Sequence, residues 1–287
     1  MPLIKSDYQP SFIFRNGHFS TIYSAKLRIS PSLIQKRERV TLPDNDFIDI
    51  DWSFAKKPIK KVAILLHGLE GNAQRIYIKS AAKALLNDHW DIAAMNFRGC
   101  SGEDNTKYQS YHSGKTDDLE SIINHILEKD HYQEIVLVGF SLGGNLLLKY
   151  LGERKNIPKE IKKGVAISVP TCLRGSLESL NKQENWPYRA VFLKSLRNKY
   201  QLKMKQYPDK MLDSDLKKIK KSSYHLLEHT EKTIDIIIKS NTPNLDIIPS
   251  NIDLVAIELE LVNHPTREFM LRDALKDQAF IPNNTVS

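Results

Sequence analysis

Strand-length apolar runs alternate with segments of helical period between residues 61 and 169, and this alternation narrows the possible folds more than any other feature. Lys61–Leu66, Asp91–Asn96, Glu134–Val138 and Gly164–Val169 are short, apolar and rich in β-branched or small residues. Runs apolar on every position suit strands covered on both faces. Between them, Tyr77–Leu86, Asp117–Leu127 and Leu142–Leu151 repeat their apolar residues at helical spacing. Strands that alternate with helices need crossover connections, which make a mainly parallel sheet with helices on both faces. Thr116 is placed as an N-cap ahead of Asp117 and Asp118, whose charges suit a helix N-terminus. Upstream, Arg39–Leu42 and Asp46–Trp52 alternate apolar and polar residues around Pro43-Asp44-Asn45, the pattern of a hairpin with one buried face. An extended N-terminal arm is expected before it.

Composition removes several classes. With 41% hydrophobic and 26% charged residues the 287-residue chain is neither disordered nor of low complexity. Its apolar runs are far shorter than the about 18–20 residues of a membrane span, and the first residues show no secretory signal. Cys100 and Cys172 are the only cysteines, too few for a disulfide framework or a cysteine zinc site, which points to a reducing, cytoplasmic setting. No motif calls for a metal or a cofactor. The net charge is +8, but residues 191–221 hold ten Lys/Arg against three Asp, a local +7. A solvated helical face accounts for such a run, and a peripheral contact with an acidic membrane surface is the alternative. Its aromatic residues do not interleave with the basic ones in a way that would stack bases, so nucleic acid is not expected as a partner.

The last third changes character. All twelve glycines lie at or before Gly175, and residues 222–287 carry ten acids against five bases, a net −5. A glycine-poor stretch favours helix with looser connections. Within it Ile252–Val262 is one strand candidate.

Chemistry points to Gly139-Phe-Ser141-Leu-Gly143, set between a buried strand and a helix. A serine at a sharp strand-to-helix turn needs small residues two positions either side, and the turn aims its hydroxyl outward at a helix N-terminus. Upstream, His67-Gly-Leu-Glu-Gly71 follows another buried strand and suits the second half of an oxyanion hole. The backbone N–H groups of Leu69 and Leu142 are the candidate donors. His67 itself reads as a residue that shapes the loop, because the base in this arrangement follows the nucleophile in chain order. Arg98 and His112 read as loop braces, Asp117 and Asp118 as charges at a helix start, and Cys100 as buried packing.

Taken with Asn16-Gly-His18-Phe-Ser-Thr21, Arg37-Glu-Arg39, Asn96-Phe-Arg98-Gly-Cys100-Ser-Gly102, Tyr111-His-Ser-Gly114 and Leu148-Lys-Tyr-Leu-Gly152, these motifs make the chain resemble the YheT-like branch of the α/β-hydrolase superfamily over about residues 10–215. Around His18 the chain has Gly17, Phe19 and Ser20 where that branch usually has Pro and a Leu-Gln pair. The resemblance implies an α/β-hydrolase fold with a helical cap insert, and a carboxylic ester hydrolase acting on medium-chain or lipid-like esters. It makes Ser141 the nucleophile and Leu69 and Leu142 the oxyanion hole, with a small amphiphilic ester as partner. One domain over residues 1–287 is expected, with arm and hairpin in 1–60, the cap at 171–230 and an atypical tail at 231–287. The family's acid-bearing Asn-Ala-x-Asp-Asp loop and its Gly-Gly-His turn have no counterpart here. His225, His229 and His264 are the only histidines after Ser141, and His264, just past Ile252–Val262, is the base candidate. Asp246, Asp253 and Asp273 are unranked acid candidates. Either the tail has diverged or the reading frame was disrupted near residues 222–235. The alternative to an active hydrolase is an impaired or truncated hydrolase-fold protein that acts as a binding or scaffold module.

Overall fold

A computed structural model describes residues 6–129 and 131–210 together with two short strands in the tail. The chain divides into two compact units, Met1–Tyr207 and Pro208–Ser287. In the second unit Ile238–Lys239 and Asp246–Ile247 form an antiparallel pair. The strand candidate Ile252–Val262, the three tail histidines and Asp253 and Asp273 lie outside the described residues, as does the side chain of Asp246.

The first unit is built on a six-stranded sheet. Its strands are β1 (Lys36–Thr41), β2 (Phe47–Ser53), β3 (Lys61–Leu66), β4 (Asp91–Asn96), β5 (Glu134–Phe140) and β6 (Ile161–Ile167), in the order β1-β2-β4-β3-β5-β6. β4, β3, β5 and β6 run parallel, while the β1–β2 hairpin joins the edge of β4 antiparallel. The mainly parallel sheet read from the alternating runs is therefore present. Side-chain alternation explains why these runs look uniformly apolar. Val62, Ile64 and Leu66 of β3 face one core with Leu119, Ile122 and Ile123 of α3 (Thr116–Leu127) and Leu146, Leu147 and Tyr150 of α4 (Leu142–Glu153). Ala63 and Leu65 face the other core with Ile78 and Ala82 of α2 (Ile76–Asn87). Each large side chain so enclosed contributes about 1.5–3 kcal/mol, which fixes the strand register.

In five places the local structure departs from expectation. β2 is buried at every position rather than on one face, and β6, an edge strand, leaves Val165 and Ile167 exposed rather than covered on both faces. The N-terminal arm is not extended: Phe12–Arg15, Gly17–Ile22 (α1) and Tyr23–Leu27 form successive helical turns, and the Asn16 side chain caps α1 by accepting the Phe19 N–H at 3.0 Å. Thr116 is the first helical residue of α3 rather than its cap, and its hydroxyl donates to Glu153 instead. The basic run is not a purely solvated face, because Lys203 is buried and donates to the carbonyls of Asn105 and Lys107 at 2.7 and 2.5 Å. Lys203 lies on α6 (Trp186–Gln206), which follows α5 (Leu173–Asn181).

The hairpin also braces the site side of the sheet. Arg37 and Arg39 each make two hydrogen bonds to the carboxylate directly across the strand pair, Asp51 and Asp49, at 2.7–3.0 Å. Arg37 reaches on to the Ser101 carbonyl and Arg39 to Glu103, so the loop after β4 is tied to the hairpin.

Candidate active site

Ser141 occupies the one-residue junction between β5 and α4, with φ 51° and ψ −117°. Such a backbone is costly for a residue with a Cβ, and it is imposed here by close packing on both sides. A Cβ on Gly139 would lie 2.4 Å from the Gly143 carbonyl oxygen, and one on Gly143 would lie 2.5 Å from the carbonyl oxygen of His67. Only glycine fits at either position, which is the physical content of the Gly-x-Ser-x-Gly pattern. The Ser141 N–H donates to the Ile167 carbonyl at 2.9 Å, and the Asn145 side chain holds the Pro170 carbonyl at 3.1 Å. The turn is thereby sewn to the end of β6, and the Ser141 residue is exposed.

Backbone strain gathers at this edge of the sheet. Glu70, Ser141 and Ser168 are non-glycine residues with φ of 53°, 51° and 52°, and each lies just past the C-terminal end of a parallel strand, β3, β5 and β6. Strained residues of this kind persist where the surroundings over-determine them, and they concentrate at functional sites. The C-terminal edge of a parallel sheet is also where ligands bind in open α/β folds.

The upstream loop closes against the serine. A Cβ on Gly68 would come 3.2 Å from the Cβ of Ser141, so the absence of a side chain there lets the two turns meet. Gly68 donates its N–H to the Tyr77 hydroxyl at 3.0 Å, and Gly71 closes a turn on the Gly68 carbonyl at 3.0 Å. Leu69 lies in this turn, while Leu142 opens α4 on the other side of Ser141. Among the described residues no acceptor takes the backbone N–H of Leu69 or Leu142, and none hydrogen-bonds the Ser141 hydroxyl.

His67 braces this loop from within. Its ring is fully buried against Phe97, with centroids 4.2 Å apart. The Phe97 N–H donates to Nε2 at 3.1 Å, which leaves Nδ1 to carry the proton and donate to the Gly68 carbonyl at 2.8 Å. Burial lowers its pKa to about 4, so the imidazole stays neutral. It shapes the loop, as its place ahead of the nucleophile implied.

The other loop candidates are structural as well. Arg98 is buried and holds Asp118 through two hydrogen bonds of 2.7 Å, with Asp44 at 2.6 Å and Asp46 at 3.0 Å. Burial opposes its charge, and the Asp118 and Asp44 carboxylates outweigh that and raise its pKa. Asp118 thus answers a buried cation in addition to starting a helix, and Asp117 pairs with Arg154 at 2.7 Å. His112 accepts the Gly114 N–H at 3.1 Å in a local turn. Cys100 is buried. Among the described residues no group of three or more His, Cys, Asp or Glu side chains is arranged to hold a metal ion, and no helix is long and apolar enough to cross a membrane.

Sequence reading missed the partners of Glu70. Its side chain accepts hydrogen bonds from Tyr111, Ser195 and Lys199, which lie 41, 125 and 129 residues away in the chain. The missed signal is the i, i+4, i+8 spacing of Ser195, Lys199 and Lys203, which puts them on one stripe of α6.

A mainly parallel sheet with helices on both faces and a strained serine turn between β5 and α4 defines the α/β-hydrolase class of fold. The chain belongs to that family: residues 62–221 match the family described as alpha/beta hydrolase fold. Its likeness to the YheT-like branch holds, for it is 30% identical over 206 residues to YheT of Escherichia coli (strain K12), across 71% of this chain and 60% of the relative. It is 25% identical to phospholipase ABHD3 of Homo sapiens, across 69% of this chain and 51% of that protein. The chain therefore spans only about half to three fifths of these relatives' length. Among solved structures, the Pyrococcus furiosus esterase PF2001 is 25% identical with a TM-score of 0.46, over 56% of this chain and 60% of that one. A second family, described as AAA domain, matches residues 202–279.

Proposed function

We propose that this protein is a serine-dependent carboxylic ester hydrolase acting through an acyl-enzyme at Ser141. The observation that carries the reading is the strained serine turn, packed against a glycine loop and backed by a helix N-terminus. In this reading Ser141 Oγ attacks the ester carbonyl carbon, and the charge on the carbonyl oxygen is held by the N–H groups of Leu69 and Leu142, which the described residues leave without an acceptor. Collapse of the tetrahedral intermediate breaks the carbonyl–alkoxy bond and releases the alcohol, and water then cleaves the acyl-serine. A base after Ser141 takes the hydroxyl proton and returns it to the alcohol. His264 is the position assigned to it here, and no acid partner is assigned.

Medium-chain or lipid-like esters are the proposed substrates. Leu193, Leu196 and Leu202 of α6 are exposed apolar side chains interspersed with Lys194 and Arg197, a surface suited to amphiphilic molecules and to peripheral contact with an acidic membrane surface. Relatives named as a phospholipase and, from Saccharomyces cerevisiae, as a monoacylglycerol lipase support the same substrate class. A cytoplasmic location, the absence of a cofactor and the helices after β6 serving as a cap are parts of the same proposal.

One observation favours a second reading. The match to the AAA domain family takes in His225, His229 and His264, so every histidine after Ser141 lies in a stretch similar to a different family. On that reading the chain keeps the nucleophile, lacks a base and acts as a binding or scaffold module. Labelling with a fluorophosphonate probe, in the parent, Ser141→Ala and the three histidine-to-alanine variants, separates the two. The hydrolase reading expects labelling abolished by Ser141→Ala and ester turnover reduced by about 10⁴-fold in one histidine variant, His264→Ala. An unlabelled parent, or the same trace turnover in parent and all three histidine variants, refutes it.

A further inference from the structure

The geometry points to Glu70, Ser195 and Lys199 as positioning residues that latch helix α6 onto the turn carrying Leu69, so that the backbone donor beside Ser141 is held in place only while α6 is seated. The inference rests on the role proposed for Leu69. Every polar group of Glu70 is engaged. Its N–H donates to the Tyr111 hydroxyl at 2.9 Å, and its carbonyl accepts from Arg75 at 2.7 Å. Its carboxylate accepts from the Tyr111 hydroxyl at 2.5 Å, from Lys199 at 3.0 Å and from the Ser195 hydroxyl. Tyr111 and Arg75 belong to the same sheet-bound framework as the turn. Ser195 and Lys199 are the contacts that arrive from α6.

The electrostatics give the latch its force. The Glu70 side chain is only 7% exposed, so its charge has little water to rely on. Burial works to raise its pKa, but the hydrogen bonds from Ser195, Tyr111 and Lys199 outweigh burial and keep it ionised. Lys199 also lies 3.2 Å from Cys100 Sγ and 5.2 Å from the centre of the Tyr111 ring, which seats its ammonium in one pocket. If α6 withdraws, a buried carboxylate beside Leu69 loses its cation and one hydroxyl donor. With φ at 53°, Glu70 holds a conformation that persists only under such constraint. Relaxing it lets the Leu69–Glu70 peptide rotate and loosens the turn that sets the direction of the Leu69 N–H. Lys203 anchors α6 separately through the Asn105 and Lys107 carbonyls, and Tyr188 does so through His18 at 3.0 Å, so removing the latch leaves the helix other points of attachment.

The test uses the full chain with the double variant Ser195→Ala/Lys199→Met, the single variant Ser195→Ala in case the double fails to fold, and the conservative Lys199→Arg. Hydrogen exchange reads the amides of Glu70 and Gly71, and the rate of fluorophosphonate labelling reads Ser141. The latch expects exchange at these two amides to rise about tenfold or more in the double variant, less in Ser195→Ala, with β3 and α2 amides unchanged. It expects labelling to slow by about tenfold, and Lys199→Arg to retain parent-like exchange and labelling, because the charge is kept. Unchanged exchange at Glu70 and Gly71 in the double variant overturns the latch. So does an unchanged labelling rate where the parent labels. A parent that does not label at all refutes the hydrolase reading instead, and the exchange measurement then decides the latch by itself.

Discussion

Replacing Ser141 by glycine removes the proposed nucleophile and stabilises the protein, and the size of the gain follows from the backbone. With φ 51° and ψ −117°, Ser141 occupies a region that glycine enters freely and that costs other residues about 1–3 kcal/mol. Glycine gives back part of that relief, about 0.5–1 kcal/mol, because its unfolded chain has more freedom to lose. Ser141→Ala is the matched control. It deletes the same hydroxyl but keeps the Cβ and therefore the strain, and at an exposed position loss of the hydroxyl alone changes stability by no more than about 0.5 kcal/mol. The glycine variant is therefore more stable than the alanine variant by about 1 kcal/mol, the middle of the range left after the entropy is subtracted. At about 2–4 °C per kcal/mol for a unit of this size, calorimetry on the two variants side by side resolves the difference. Both lack the hydroxyl, so neither turnover nor acylation confuses the comparison. A glycine variant that melts at or below the alanine variant means that the strain assigned to Ser141 is absent, and the turn is then no more than a favourable bend.

Arg98→Met strands the buried carboxylates of Asp118 and Asp46, and urea unfolding at neutral pH should register a loss of about 3–5 kcal/mol; a loss near zero would mean that these charges find other partners. Acid weakens the fold through His67. Its folded pKa of about 4 lies below its ordinary 6.5, so the unfolded chain binds a proton that the folded one refuses. Stability therefore falls as pH drops through 6.5 toward 4, by about 3 kcal/mol in the limit, and His67→Gln should flatten that part of a urea-derived stability profile.

Elements enclosed on both sides were the most legible. β3, β4 and β5 could be read from unbroken apolar runs because helices cover both faces, and the serine turn because steric crowding restricts Gly139 and Gly143 to glycine. Local choices were less legible. Thr116 has the right chemistry for an N-cap, yet its hydroxyl is taken by Glu153, 37 residues away, a competition that no local pattern contains. The helical turns of the N-terminal arm rest on one Asn16 cap and a short apolar cluster rather than on a sustained period. Charge counting ranked Lys199 and Lys203 with a solvated face because a count has no direction. Only the four-residue spacing shared with Ser195 distinguishes the inward stripe from the outward one. Arg98 was identified as a brace, but not the three carboxylates that it gathers, since Asp44, Asp46 and Asp118 come from two distant segments.

Several features change between Gly175 and residue 222. The last glycine is Gly175, the local charge turns from +7 over residues 191–221 to −5 over 222–287, and the compact units divide between Tyr207 and Pro208. The match to the AAA domain family opens at residue 202. The hydrolase-family match itself runs to residue 221, so the two matches overlap over residues 202–221. Similarity to the AAA domain family does not by itself bring a nucleotide site, because residues 202–279 contain no glycine and cannot present the glycine-rich loop that cradles phosphates. The strained turn, the glycine loop and the N–H groups without an acceptor among the described residues all belong to the first unit. His67 cannot supply the proton acceptor that a serine nucleophile requires, because it is buried, neutral and hydrogen-bonded through both ring nitrogens.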